Sequence, residues 1–200
     1  MTMNAILPRS TAHAIDPDML ARWSPRSFAS DAEISQADLL TILEAARWAP
    51  SAFNAQPWHF IYARRNSESF ADLVDLLAPF NRDWAQHGAA LIFIASQTMR
   101  ADSKGGLSPS RSHAFDAGAA WGMLALQTTK LGWHAHGMAG LDHDKAMEVL
   151  GLPEGWRVEI AVAIGKKGDG STLSEALLAR EIPSQRRPLD EVASEGRFSL

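Results

Sequence analysis

The stretch Ala89–Ser96, "AALIFIAS", stays apolar until its last residue. A strand with one wet face alternates apolar and polar side chains, and a strand covered on both faces does not. The stretch therefore predicts a central strand, and other parts of the chain must cover it. Two further strands are legible. Trp58–Ala63 is aromatic and β-branched. Trp156–Lys167 alternates Val158, Ile160, Val162 and Ile164. Between them run helical patterns. Asp16 caps a short helix to Arg22, with Pro17 in its first position. Ser35 caps a second, with Asp38 three residues on, an apolar stripe of Leu39, Ile42, Leu43 and Ala46, and Pro50 as its stop. Ser67 is placed to cap a third, carrying Phe70, Leu73, Leu76 and Leu77. A long helix covers about His113–Leu131 and ends at Gly132. A last short helix starts at Asp142 and stops at Gly151 and Pro153, while Gln97–Ser112 reads as a mobile loop. Helices and strands mix without strict alternation, which predicts an α+β fold.

The 200 residues are 46% hydrophobic and 21% charged, an ordinary globular composition, and the length predicts one domain over residues 1–200. A net charge of -4 argues against a broad nucleic-acid surface. With no cysteine, thiolate catalysis and thiolate metal sites are excluded. No apolar leader opens the chain and no run reaches the ~20 residues of a membrane helix, so a soluble cytoplasmic protein is expected. The seven histidines form no HExxH, and neither a GxSxG nor a nucleotide-binding glycine pattern is present. With no evident nucleophile, base or metal, a borrowed cofactor is the natural source of chemistry.

Four segments carry candidate site residues. In "RWSPRSF", Arg22, Ser24 and Arg26 share one face of an extended chain, suited to a phosphate or an anionic ring edge; a solvated loop is the alternative. In "APSAFNAQPWHF", Ser51, Asn54 and Gln56 stand between a helix end and a buried strand. They are either turn formers or hydrogen-bonding groups for a flat polar ring, Gln56 above all, because its amide both donates and accepts. In "HGMAG", Gly137 and Gly140 bracket Met138 and Ala139, a bare backbone against a ligand or a plain tight turn. In "QRRPL", Arg186 and Arg187 are a surface patch or a fixed cationic pair.

Together and in this order, these segments resemble the nitroreductase family of FMN-dependent oxidoreductases. The likeness runs from about Arg22 to Leu189. It also takes in the Asp116-bearing helix "FDAGAAWGMLALQTTKLGW" and the strand "WRVEIAVAIGK". The resemblance implies a homodimer of α+β subunits with a mostly antiparallel central sheet, a long helix at the dimer core and FMN at the subunit interface. It implies that Arg22, Trp23, Ser24 and Arg26 bind the flavin phosphate and pyrimidine side, with Trp23 contributing backbone. Pro50, Ser51 and Asn54, with Gln56 close by, would reach the flavin across the interface. Gly137, Met138, Ala139 and Gly140 would lie beneath the ring, the Ala139 N–H aimed at flavin N5, where the lack of an acidic side chain alters redox tuning. Arg186 or Arg187 would clamp the phosphate. The implied activity is ping-pong hydride transfer from NADH or NADPH through FMN to a nitroaromatic, quinone or similar acceptor. Other flavin chemistry, such as dehydrogenation, or FMN binding without catalysis are the alternatives. The segment Pro79–Arg111 reads as a small lid, and Trp84–His87 with Phe115 as acceptor-pocket lining.

Overall fold

The computed structural model describes residues 9–102 and 105–199. Its helices are α1 (Pro17–Ala21), α2 (Gln36–Arg47), α3 (Phe70–Val74), α4 (Pro79–Ala85), α5 (His113–Lys130), α6 (His143–Val149) and α7 (Glu175–Leu178). The strands are β1 (Trp58–Arg64), β2 (Ala90–Gln97), β3 (Met99–Ala101), β4 (Leu107–Pro109), β5 (His134–Met138) and β6 (Trp156–Gly165). The main sheet has the order β1-β2-β6-β5, and every neighbouring pair is antiparallel. The fold is α+β, as its mixed order of elements predicted.

The stretch that opens the sequence reading is β2, an inner strand. All of its residues up to Ser96 are buried. Side chains alternate across a strand. Leu91 and Phe93 enter one core with Leu76, Leu77, Trp84 and Ala161. Ala90, Ile92 and Ile94 enter the other, with Leu39, Ile42, Ala120, Leu124 and Val162. Helices α2 and α5 supply that second core, and α3, α4 and α6 stand on the first. The caps follow the sequence: the Asp16, Ser35 and Asp142 side chains accept the N–H groups of Asp18, Asp38 and Lys145. Among the described residues no helix is long and apolar enough to cross a membrane.

Several expectations change. Ser67 does not cap α3; its hydroxyl donates to the Arg64 carbonyl, and Ser69 stands at the helix start. The loop after β2 contains the β3–β4 hairpin. Pro79–Arg111 is no lid, because it includes α4 and the central strand β2. Trp84 is 1% exposed and packs between Phe28 and His136, so it is core. "HGMAG" is not one turn: Gly137 and Met138 pair with Val162 and Ala161 within the sheet, and only Ala139 and Gly140 lie beyond β5.

Candidate functional site

The loop Arg22–Phe28 is held by a residue far along the chain. The Glu181 carboxylate accepts the N–H of Arg26 on both oxygens (2.9 and 3.0 Å) and the N–H of Ser27 at 2.7 Å. The Ser27 hydroxyl accepts the Gly170 N–H, and its carbonyl accepts that of Gly168. Phe28 then bridges to Lys167 beside the sheet. An added Cβ on Gly168 would meet the Phe28 backbone at 2.9 Å, so this crossing admits only glycine. From the other side, the His136 imidazole bonds the Pro25 carbonyl through Nδ1 at 2.9 Å. A carbonyl only accepts, so Nδ1 carries the proton. Burial pushes the His136 pKa down, and the Arg26 charge adds to this.

This anchoring leaves positive groups without counter-charges. Arg22 lies near Arg9 and Arg186, and its pKa is pushed down by burial first and by those two cations second. Arg9 is shifted the same way by burial and then by Arg186. Among the described residues no carboxylate offsets either group. Arg22 reaches the Ser24 hydroxyl at 3.4 Å, so these two side chains meet on one face as their spacing predicted. Arg26 does not join them. The backbone bends at Arg26, and its guanidinium lies near Arg180 and Glu181, with Nε buried and unpaired among the described residues. Like-charged groups gathered without an acid repel one another and suit an anion.

The turn after α2 is built differently. Phe53, Asn54 and Gln56 have φ of 56°, 54° and 48°, in the left-handed region that side chains other than glycine rarely adopt. Hydrogen bonds within the turn hold it there. The Ser51 hydroxyl accepts the Gln56 N–H at 3.0 Å, and the Gln56 amide donates to the Asn54 carbonyl at 3.1 Å. Asp116, 3% exposed on α5, accepts the Ala52 N–H at 3.3 Å with both oxygens. The Gln56 amide nitrogen therefore serves the turn. The Asn54 side chain makes no hydrogen bond among the described residues, and Phe53 stands 91% exposed.

The two regions occupy opposite ends of α5. Asp116 grips the turn at one end. At the other, Lys130 bonds Asp18 of α1 at 2.6 Å, and Arg22 directly follows α1. Residues 116 and 130 are separated by about 21 Å along the helix axis. Along the outer face of α5, Ala114, Phe115, Gly118, Gly122 and Met123 are exposed, and an added Cβ on either glycine would meet nothing within 4 Å.

A model of the nitroreductase family matches residues 19–80 and 69–166. The chain belongs to the nitroreductase family. A solved structure described as an oxidoreductase containing FMN is similar over 99% of both chains, at 46% identity and a TM-score of 0.92. A structure named as a nitroreductase in complex with FMN, from Desulfovibrio desulfuricans, is 25% identical with a TM-score of 0.68, covering 93% of this chain and all of the other. A protein of Archaeoglobus fulgidus named as an NADH dehydrogenase/NAD(P)H nitroreductase is 31% identical over 74% of this chain and 82% of its own.

For a nitroreductase-family chain, the residues read from the sequence separate into three groups. Arg22 bonds Ser24 and lies near Arg186; Arg186 and Arg187 are both exposed. The Trp23 ring packs edge-on against His134 with centroids 6.0 Å apart, which leaves its backbone for other contacts. Pro50, Ser51, Asn54 and Gln56 form the distant turn. Met138 is 3% exposed, its side chain in the core, and the Gly140 carbonyl is taken by Ala78 and Asn81. Ala139 is exposed just past the end of β5. The sequence reading missed Glu181, Arg9 and His136. A lone acid, arginine or histidine carries no local pattern, and each bonds a backbone group remote in sequence.

Proposed function

We propose that the protein is an FMN-dependent NAD(P)H oxidoreductase that reduces a nitroaromatic, quinone or similar small acceptor by ping-pong exchange. The carrying observation is the group of arginines without counter-charge around Arg22, in a chain of the nitroreductase family. Such a group fits the phosphate of FMN in charge and in donor chemistry. The FMN named for two similar structures supports the same cofactor. When bound, FMN supplies hydride exchange at N5, accepting from NADH or NADPH and passing to the acceptor.

The chain's own residues bind and orient. Arg22 and Arg186 hold the phosphate, with the Ser24 hydroxyl beside them. Arg26, with its free Nε, offers a positive group to the pyrimidine edge. Ala139 offers an exposed backbone N–H to the ring. No side chain acts as an acid or base; the protein contributes geometry and the exclusion of water. The separation of the turn from the arginine loop along α5 favours a homodimer in which each turn serves the partner's flavin. The open small-residue face of α5, with exposed Phe115 and Met123, suits close approach of a second copy. Asn54, whose side chain makes no hydrogen bond among the described residues, then meets the flavin's polar edge.

The test is an absorption spectrum of the purified protein followed by anaerobic addition of NADH, then NADPH. A yellow protein that bleaches and is reoxidised by a nitroaromatic or quinone is expected. Failure to bleach with full FMN loading would overturn the reductase reading, and failure to take up FMN would overturn the cofactor assignment.

A further inference from the structure

Arg9 lies ahead of α1, outside the stretch that matches the family. Its Nη1 donates to the carbonyls of Leu20 at 2.8 Å and Arg22 at 2.6 Å. These groups lie at the end of α1, where carbonyls lack partners within the helix. One nitrogen thus braces the Arg22 backbone. The opposite edge of the guanidinium is free: Nε is buried with no partner, and Nη2 makes no hydrogen bond among the described residues. Nε and Nη2 carry parallel N–H groups, the pair that grips two oxygens of a carboxylate or phosphate. A cation needed only as a helix cap would turn this edge to water. Here Nε is withdrawn from solvent, in the company of Arg22 and Arg186.

We infer that Arg9 is a phosphate-binding residue of the flavin site, presenting Nε and Nη2 to the phosphate monoester while Nη1 fixes Arg22 behind it. The inference rests on the FMN reading above, and it adds a third arginine from the N-terminal arm to Arg22 and Arg186. A brace that acts only through Arg22 has no FMN-specific effect once the Arg22 side chain is removed, whereas a phosphate ligand still does. Arg9→Ala is therefore also made in an Arg22→Ala chain, where a further loss confined to FMN is expected and no further loss would overturn the inference.

That difference sets the experiment. The full-length chain is freed of flavin and titrated with FMN and with riboflavin, following quenching of flavin fluorescence. Wild type, Arg9→Ala and Arg9→Lys are compared. Arg9→Ala is expected to weaken FMN about tenfold or more and riboflavin less than about twofold. Arg9→Lys keeps the charge but loses the planar fork, so a smaller loss confined to FMN is expected; it also serves if the alanine variant does not fold. Parallel losses for both ligands, or an unchanged FMN-to-riboflavin ratio in the variants, would overturn the inference and leave the cofactor assignment standing. A wild type that binds FMN no more tightly than riboflavin would overturn the phosphate site itself.

Discussion

At one end of α5, Asp116 holds a turn whose polar groups largely bond one another. At the other, the guanidinium groups of Arg9, Arg22 and Arg186 lie near one another, with no carboxylate among the described residues offsetting Arg9 or Arg22. Both regions are costly to form, but by different physics. The turn keeps three residues in left-handed backbone, each costing on the order of 1 kcal/mol or more, and it offsets this with hydrogen bonds inside one chain. The arginine group has no such offset; its cost is electrostatic and persists until an anion arrives. A satisfied polar set is scaffold, and an unsatisfied charged set points to a ligand. Ser51 and Gln56 bond within their own turn, while Arg9, Arg22 and Arg186 form the charged set on which the FMN proposal rests.

The contrast can be broken most strongly at Glu181. Its carboxylate takes a part-buried and a buried N–H group of the cationic loop, so Glu181→Ala leaves both unpaired. A loss of about 2–5 kcal/mol in urea unfolding is expected, together with weaker FMN binding as the loop loosens. Stability unchanged within about 0.5 kcal/mol would show that the loop is held by other contacts. Asp116→Ala acts on the turn instead. One N–H loses its acceptor, and about 1–2 kcal/mol of stability should go. The ratio of FMN to riboflavin affinity should stay as in wild type, because the phosphate end is untouched. A collapse of that ratio would mean that the two ends of α5 are one mechanical unit.

The smallest effect is acid sensitivity at His136, which ties β5 to the cationic loop. Burial holds its pKa below the ordinary 6.5. Below pH 6.5 the unfolded chain therefore takes up a proton that the folded chain resists, and stability falls as pH drops through that window. His134 is shifted in the same direction by burial, so both histidines contribute. His136→Asn keeps a donor near the Pro25 carbonyl and removes the titration. Urea midpoints compared between about pH 7.5 and 5.5 should fall less in this variant than in wild type. Equal slopes would assign the acid loss elsewhere.

The strands and the capped helices were legible because their signals are local. Ala89–Ser96 is apolar at consecutive positions, and Asp16, Ser35 and Asp142 bond N–H groups two or three residues away. Grouping Arg22 with Ser24 worked for the same reason. Extending that face to Arg26 did not, because Glu181 takes the Arg26 and Ser27 N–H groups and the chain bends there. The hairpin of β3 and β4 escaped notice because its strands have only three residues each, too few to show a period.

By itself the sequence determined the α+β class, the buried central strand, the small-residue helix and the segments that mark the family, since each is written in neighbouring residues. Only the tertiary structure decided that Arg9 and Arg186 lie near Arg22, and that Gln56 bonds its own turn. The physical reason is distance along the chain. Glu181 meets Ser27 across 154 positions, and Asp116 meets Ala52 across 64. Contacts of that span leave no periodicity in the sequence, and the packing of the whole chain is what creates them.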